Sequence, residues 1–289
     1  MIIDGNGIAN QIQNEIKASI AKCKGRAPFL AVIIIGNHPA SLLYVKRKRA
    51  ACENTHINSK TIHLSESILE SDVINTIKTL NQDENVDGIL LQLPLPSHLD
   101  PLKITPHIAV NKDVDGLNPY NVGKMLMGDQ DTFFPCTPLG IKEMLIRSHV
   151  DISGKHVVIL GRSNLVGKPM AAILMQNQPD CNATVTIAHS KTEHLQKICQ
   201  SADILIAAIG RPHFVTADMV KEGAVVIDVG INKIASYETS SSKIVGDVDF
   251  ESVKNKCAHI TPVPGGVGPM TIAMLLANTF KSYLARGIK

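Results

Sequence analysis

The sequence predicts two α/β domains in series, and three observations carry this expectation. Apolar runs of strand length alternate with helix-length segments almost throughout. One Pro- and Gly-rich stretch, from about 94 to 138, interrupts that rhythm. The chain has 289 residues, long for one core and comfortable for two.

FLAVIIIG (29–36) reads as a buried strand, a helix follows from about Pro39, and KTIHLS (60–65) reads as the next strand. Ser67 and Glu70 spell a capping box, S-x-x-E, which predicts a helix running to about Asn81. DGILLQLPLP (87–96) begins as a buried strand and is stopped by two prolines. This β-α-β-α-β order predicts a parallel sheet covered by helices. The interruption holds LPLPSHLDP, DVDGLNPYNVG and FFPCTP, loop chemistry of the kind that carries binding groups. Thr137-Pro138 then predicts an N-cap and first turn for a helix carrying LGIKEMLIRSH. KHVVILG (155–161), ATVTIAH (183–189), ADILIAAIG (202–210) and AVVIDVG (224–230) predict a second parallel sheet, closed by HITPVPGG (259–266). YETSSSK (237–243) reads as a mobile loop. The last segment, PMTIAMLLANTFKSYLARG, is a long helix with an apolar first half on nearly every face. It is expected to be buried, packed on the first domain or spanning the two.

Composition excludes several classes. Apolar residues make up 44% and charged residues 19%, which fits a globular chain. A net charge of +3 is small for a nucleic-acid binder. No apolar run approaches membrane-spanning length, and the N-terminus lacks a basic leader followed by an apolar stretch, so neither a span nor a secretory signal is expected. The six cysteines are scattered without a C-x-x-C pair and suit a reducing cytosol. No histidine or cysteine spacing suggests a metal.

VVILGRSNLVGKPMA places a glycine turn after a buried strand and before a helix, the context of a phosphate-binding turn. The match to G-x-G-x-x-G is imperfect: Gly161 fits the first place, Ser163 and Val166 take the next two, and Gly167 comes one step late. The following strand ends AHSKT, without the acidic residue that would bind a ribose 2′-hydroxyl. Arg162, Ser190 and Lys191 suit a 2′-phosphate instead, which favours NADP. The alternative is that Arg162 and Lys191 are ordinary solvated charges.

SLLYVKRKRA (41–50) sets four cations in a row. On a helix at about 100° per residue, Tyr44 lies about 40° and Ser41 about 20° from Lys48, so the three form one stripe flanked by Val45, Ala51 and Cys52. Lys46, Arg47 and Arg49 point about 100° or more away, so the four cations make no single basic patch. A lysine on such a face has two readings. It snorkels, stem packed and head in water, or it is an active-site base whose pKa is lowered by burial and neighbouring cations.

SLLYVKRKRAACE, DGILLQLPLP with KDVDGLNPYNVG, PCTPLGI with GRSNLVGKPM, and DVGIN with ITPVPGGVGPMT stand in an order and spacing that closely resemble one family. That family is the bifunctional methylenetetrahydrofolate dehydrogenase/cyclohydrolases, the FolD proteins, and the resemblance covers nearly the whole chain. It implies oxidation of 5,10-methylenetetrahydrofolate by NADP, then hydrolysis of the methenyl product to 10-formyltetrahydrofolate. It implies Lys48 as the catalytic lysine, chiefly for the hydrolytic half. Tyr44 would stack on or position the folate, Gln92 would help set the protonation of Lys48, and Asp115 would anchor the pterin N–H groups. Ser41, Leu93, Pro262, Val263 and Gly266 would complete the substrate contacts. Gly161, Arg162, Ser163 and Gly167 would contact NADP, with Ser190 near the 2′-phosphate and Ile231 near the nicotinamide end. The family's cofactor turn, G-x-S-x-x-V-G, accounts for the departure from the general glycine pattern. The expected architecture is a folate-binding catalytic domain, 1–138 plus 267–289, and a Rossmann-type NADP domain, 139–266. The C-terminal helix would return to the first domain. The implied setting is a cytoplasmic homodimer that binds tetrahydrofolate one-carbon derivatives and neither nucleic acid nor membrane. A shikimate-type NADP dehydrogenase is the nearest rival, and the YxxxK spacing and QLPLP block argue against it.

Overall fold

The computed structural model describes residues 1–235 and 242–287. It divides into two compact units, one of Asn10–Cys136 with Ile272–Lys289 and one of Met1–Ala9 with Thr137–Thr271.

The first of these carries most of helix α1 (Gly5–Ile20), then β1 (Phe29–Ile35), α2 (Pro39–Thr55), β2 (Asn58–Leu64), α3 (Glu70–Gln82), β3 (Gly88–Leu91) and two short helices, α4 (Pro101–Ile104) and α5 (Pro119–Leu126). The sheet is parallel in the order β2-β1-β3. The central strand FLAVIII is buried nearly end to end, whereas the edge strand β2 has no fully buried residue. β1 is covered on both faces, and so is the other edge strand, β3, which is buried throughout; only β2 is left open. Ala31, Ile33, Ile35, Val73, Ile77, Ile89 and Leu91 form the core between sheet and α3.

Two helix starts differ from expectation. Helix α3 begins at Glu70 after Leu69, without a side-chain cap. Ser67 instead engages Ser65: its N–H donates to Ser65 Oγ at 3.3 Å, which folds 65–68 into a turn of its own. The Pro/Gly-rich stretch also holds the helix α5, capped by Asn118, whose side chain accepts from Tyr120 N, with Pro119 in the first turn.

Helix α6 (Cys136–Arg147) starts at Cys136, so Thr137 lies inside it and its hydroxyl bonds the Thr271 hydroxyl at 2.9 Å rather than capping. The second unit continues with β4 (His156–Leu160), α7 (Gly167–Leu174), β5 (Thr184–Ala188), α8 (Leu195–Gln200), β6 (Ile204–Ala207), β7 (Val225–Asp228), an antiparallel hairpin of β8 (Asn232–Ala235) and β9 (Ser242–Val245), α9 (Phe250–Val253) and β10 (His259–Ile260). Its parallel sheet has the order β10-β7-β6-β4-β5. Of the loop expected at 237–243, residues 237–241 lie outside the described residues, and Ser242 and Lys243 belong to β9. The first residues join this unit: Ile3 N donates to Ile260 O at 2.9 Å, and Ile260 N to Met1 O at 3.0 Å.

The last helix, α10 (Val267–Ala285), is mostly buried, and from Ile272 onward it belongs with the first sheet. Ser282 Oγ donates there to Asp87 O or Asn111 O, each at 2.7 Å. Among the described residues no helix is long and apolar enough to cross a membrane.

Candidate active site

The stripe on α2 is buried as its spacing requires. Ser41, Val45, Lys48, Ala51 and Cys52 face inward, Tyr44 is half-buried, and Lys46, Arg47 and Arg49 are exposed. Lys48 has 6% of its surface exposed, which rules out the snorkelling reading.

Parallel pairing supplies its partner. Gln92 follows β3, and its backbone N–H donates to Ile33 O on β1 at 2.8 Å, extending the ladder by one residue. Its amide oxygen accepts from Lys48 Nζ at 2.9 Å while its Nε2 donates to Leu93 O at 2.6 Å. Both amide atoms are thereby assigned, with the acceptor aimed at the lysine. Burial lowers the Lys48 pKa below the ordinary lysine range, and the negative charge of Asp115 opposes that shift.

Asp115 is itself perturbed. Burial pushes its carboxyl up to about 6, against the pull of Lys48. The loop that presents it is held from two sides. Asp113, buried, accepts from Asn118 N at 2.8 Å, Leu117 N at 3.2 Å and Asn121 Nδ2 at 2.8 Å. Asn278 on α10 donates to Val114 O at 2.8 Å and Phe134 O at 3.1 Å, and the Cys136 thiol donates to Val114 O at 3.3 Å. Gly116 takes a positive φ of 68°, and a Cβ there would lie 2.5 Å from the Phe134 carbonyl carbon. The Asp-Gly turn is therefore real, and it serves to present Asp115.

Ser41, Tyr44, Lys48, Gln92, Leu93 and Asp115 all belong to this unit. Among the described residues the Ser41 hydroxyl is buried without a hydrogen-bond partner, an acceptor and donor left for a ligand. Asp113, Cys136 and Asn278 were not singled out from sequence. Asp113 stands two residues before Asp115 in DVDG and offered a signal; Asn278 lies 164 residues from Val114 and offered none.

Pro262, Val263 and Gly266 belong to the other unit. Gly266 is buried and packs against Gly5, where no Cβ would fit. The remaining expected residues cluster at the carboxyl ends of its strands. Gly161 follows β4, and Gly161 N donates to Ala188 O at 2.9 Å. Its φ is 127°, and a Cβ would collide with Ala208 O beyond β6. Ser163 Oγ accepts from Val166 N at 3.1 Å and closes the turn before α7. Gly167 is buried, and a Cβ there would strike Gly161 O. Arg162, Ser163, Ser190 and Ile231 are exposed. Leu160 on β4 pairs with Ala188 on β5, so Arg162 and Ser190 each stand two residues beyond neighbouring strand ends. β5 and β6 flank β4 on opposite sides, so this edge is the switch point where open parallel sheets receive nucleotides.

Residues 3–115 match the tetrahydrofolate dehydrogenase/cyclohydrolase catalytic domain, and residues 135–286 match the NAD(P)-binding domain of the same family. The chain belongs to the tetrahydrofolate dehydrogenase/cyclohydrolase family. Among similar proteins, the bifunctional protein FolD of Protochlamydia amoebophila is 56% identical over 98% of this chain and 97% of its own length. That of Campylobacter hominis is 52% identical over 97% of this chain and 96% of its own. The crystal structure of the bifunctional enzyme FolD from Campylobacter jejuni superposes with a TM-score of 0.94 at 47% identity, covering 99% of both chains. The Trypanosoma brucei enzyme, complexed with NADP and an inhibitor, superposes at 0.93 with 36% identity, covering 100% of this chain and 99% of that one. Membership of this family accounts for both sheets and for the return of α10 to the first of them.

Proposed function

We infer that this chain is a bifunctional one-carbon folate enzyme. It oxidises 5,10-methylenetetrahydrofolate to the 5,10-methenyl form with NADP, and hydrolyses that form to 10-formyltetrahydrofolate. The buried Lys48–Gln92 pair beside Asp115, in a chain of this family, carries the reading.

Asp115 accepts the pterin's N–H groups, a task suited to a carboxylate because it takes two parallel bonds. Tyr44, on the same helix face as Lys48, positions the ring system, and Ser41 and Leu93 line it. Pro262, Val263 and Gly266 supply further contacts. Oxidation asks little acid–base help, because the two nitrogens flanking the methylene carbon stabilise the cation; the protein's part is alignment. Bound NADP supplies the hydride acceptor. The side-chain-free turn at Gly161 and Gly167 would receive its phosphates, Arg162 and Ser163 would contact it, Ser190 would hold the 2′-phosphate, and Ile231 would meet the nicotinamide end.

Hydrolysis asks more. Water adds to the methenyl carbon, forming a C–O bond, and Lys48 Nζ takes one of its protons. The C–N5 bond then breaks, the electron pair stays on N5, and Lys48 returns the proton there; the second water proton leaves to solvent and the formyl group remains on N10. Burial favours the neutral lysine, which donates one N–H to Gln92 Oε1 and keeps its lone pair for the water proton, so Gln92 orients the base.

The family resemblance supports a homodimer, and six free thiols fit the cytoplasm. Light scattering tests the first: twice 31.2 kDa is expected. The activity is tested at two wavelengths. NADPH formation from 5,10-methylenetetrahydrofolate together with accelerated decay of separately supplied methenyl-folate is expected. NADPH formation without accelerated decay would remove the hydrolytic role from Lys48.

A further inference from the structure

The second unit buries two carboxylates that neither reaction uses. Asp228 ends β7 with 3% of its surface exposed, and Asp247 follows β9 fully buried. No cation pairs with either among the described residues; six N–H groups serve them instead. Asp228 Oδ1 accepts from Gly230 N and Asp247 N, and its Oδ2 from Val248 N, each at 2.9 Å. Asp247 Oδ2 accepts from Ile209 N at 2.7 Å and Gly210 N at 2.9 Å, and its Oδ1 from Asn232 Nδ2 at 2.9 Å. The pair is interlocked, since the backbone N–H of one is held by the carboxylate of the other. Gly246 leaves the room for this, because a Cβ there would collide with Asp228 Oδ2.

Burying two like charges side by side is unfavourable, and burial pushes Asp228 up to about 6 with Asp247 adding to the rise. Such an arrangement persists where the geometry it enforces matters. What it enforces is the course of two loops. Ile209 and Gly210 follow β6, immediately after Ala208, the residue on which the Gly161 turn rests. Gly230, Ile231 and Asn232 follow β7, whose next residue, Val229, donates to Ala207 O at 2.8 Å. Both loops leave the carboxyl edge of the sheet, the one after β6 next to the Gly161 turn and the one after β7 on its far side.

We propose that Asp228 and Asp247 are positioning residues for the dinucleotide, a carboxylate clamp that fixes the loops after β6 and β7 in the shape that receives its nicotinamide end. Neither carboxylate touches the cofactor, because their oxygens are engaged by the loops themselves. The clamp rests on the NADP-dependent reading given above.

The test compares Asp247→Asn and Asp247→Ala with the unaltered protein, measuring dehydrogenase kcat and the KM for NADP, cyclohydrolase rate on methenyl-folate, and thermal unfolding. Asn keeps an oxygen for Ile209 and Gly210 and loses the acceptor for Asn232; Ala loses all three bonds. The expected result is a graded rise in KM for NADP, roughly three- to tenfold for Asn and tenfold or more for Ala, with dehydrogenase kcat within about threefold. Cyclohydrolase activity stays within about twofold, because Lys48, Gln92 and Asp115 belong to the other unit. If Asp247→Ala does not fold, Asp247→Asn alone decides. A KM for NADP within twofold of the unaltered protein in a folded variant overturns the clamp, as does a parallel fall of both activities. An unaltered protein that fails to reduce NADP overturns the functional reading itself, and the clamp with it.

Discussion

A buried lysine must find acceptors or shed its proton, and Lys48 has one neutral acceptor in Gln92 and one opposing charge in Asp115. Under the proposed mechanism, that balance separates the two reactions at the level of a single side chain. Lys48→Met keeps the bulk of the stem and removes the base. Cyclohydrolase activity is expected to fall by more than about a hundredfold while dehydrogenase activity stays within about tenfold, read in the two-wavelength assay. Equal losses from folded protein would contradict the assigned role. Asp115 has its own pH signature. Above about 6 it is a carboxylate able to accept the pterin N–H groups as proposed; as pH falls through about 6 it takes up a proton and loses part of that capacity. The KM for folate is therefore expected to rise between pH 7 and 5, and Asp115→Asn should show a high KM that is flat over the same range. The hydrolytic kcat should fall on the acidic side of the Lys48 pKa, which burial lowers, because protonation removes the base.

At the scale of elements, the site depends on how helix α10 holds a loop far from it in sequence. Asn278 donates to two buried carbonyls, Val114 O and Phe134 O, that flank the Asp115 turn. Asn278→Leu leaves both without that donor and is expected to destabilise the protein by about 1–3 kcal/mol. It should also raise the KM for folate, with the KM for NADP unchanged. Urea unfolding and steady-state kinetics on the same preparation check both; a stability loss with an unmoved folate KM would confine Asn278 to packing. This contact marks the boundary of what the sequence makes legible. Burial on α2 follows from a 3.6-residue period, so Ser41, Val45, Lys48, Ala51 and Cys52 could be placed inward from spacing alone. Strand-length apolar runs likewise located β1, β3, β4, β6 and β7, because parallel strands covered by the chain on both faces are apolar on both. Helix starts were less legible, since a local competitor decides them: Ser67 bonds with Ser65 rather than capping α3, and Thr137 reaches Thr271 instead of capping α6. The β8–β9 hairpin and the Asp228–Asp247 pair stayed hidden for another reason. The hairpin strands are only four residues each and carry little apolar signal, and the pair joins residues 19 apart in sequence.

For the molecule as a whole, the exposed ion pairs, such as Arg49 with Glu53, contribute little to folding, so the pH dependence of stability rests on buried carboxylates. Of the three that burial raises, Asp113, Asp115 and Asp228, the last lies outside the folate-binding residues and is pushed up to about 6. Its folded pKa of about 6 lies above the unfolded value of 3.8, so between these the native state binds more protons than the unfolded chain. Stability from this group accordingly rises as pH falls from 6 to 4, and is constant above and below that window. A gap of about two pKa units corresponds to on the order of 3 kcal/mol. Asp228→Asn cannot titrate, so it lacks this gain, whatever stability it loses from its altered hydrogen bonds. Urea unfolding of both proteins at pH 7.5, 6, 5 and 4 isolates the difference, since every other titrating group is common to the two. The unaltered protein should pull ahead of the variant as pH drops, by up to about 3 kcal/mol at pH 4. A gap that is constant with pH, or that narrows toward acid, would show that Asp228 is not held above the ordinary carboxylate range. The six backbone and side-chain donors would then suffice to keep both charges in place.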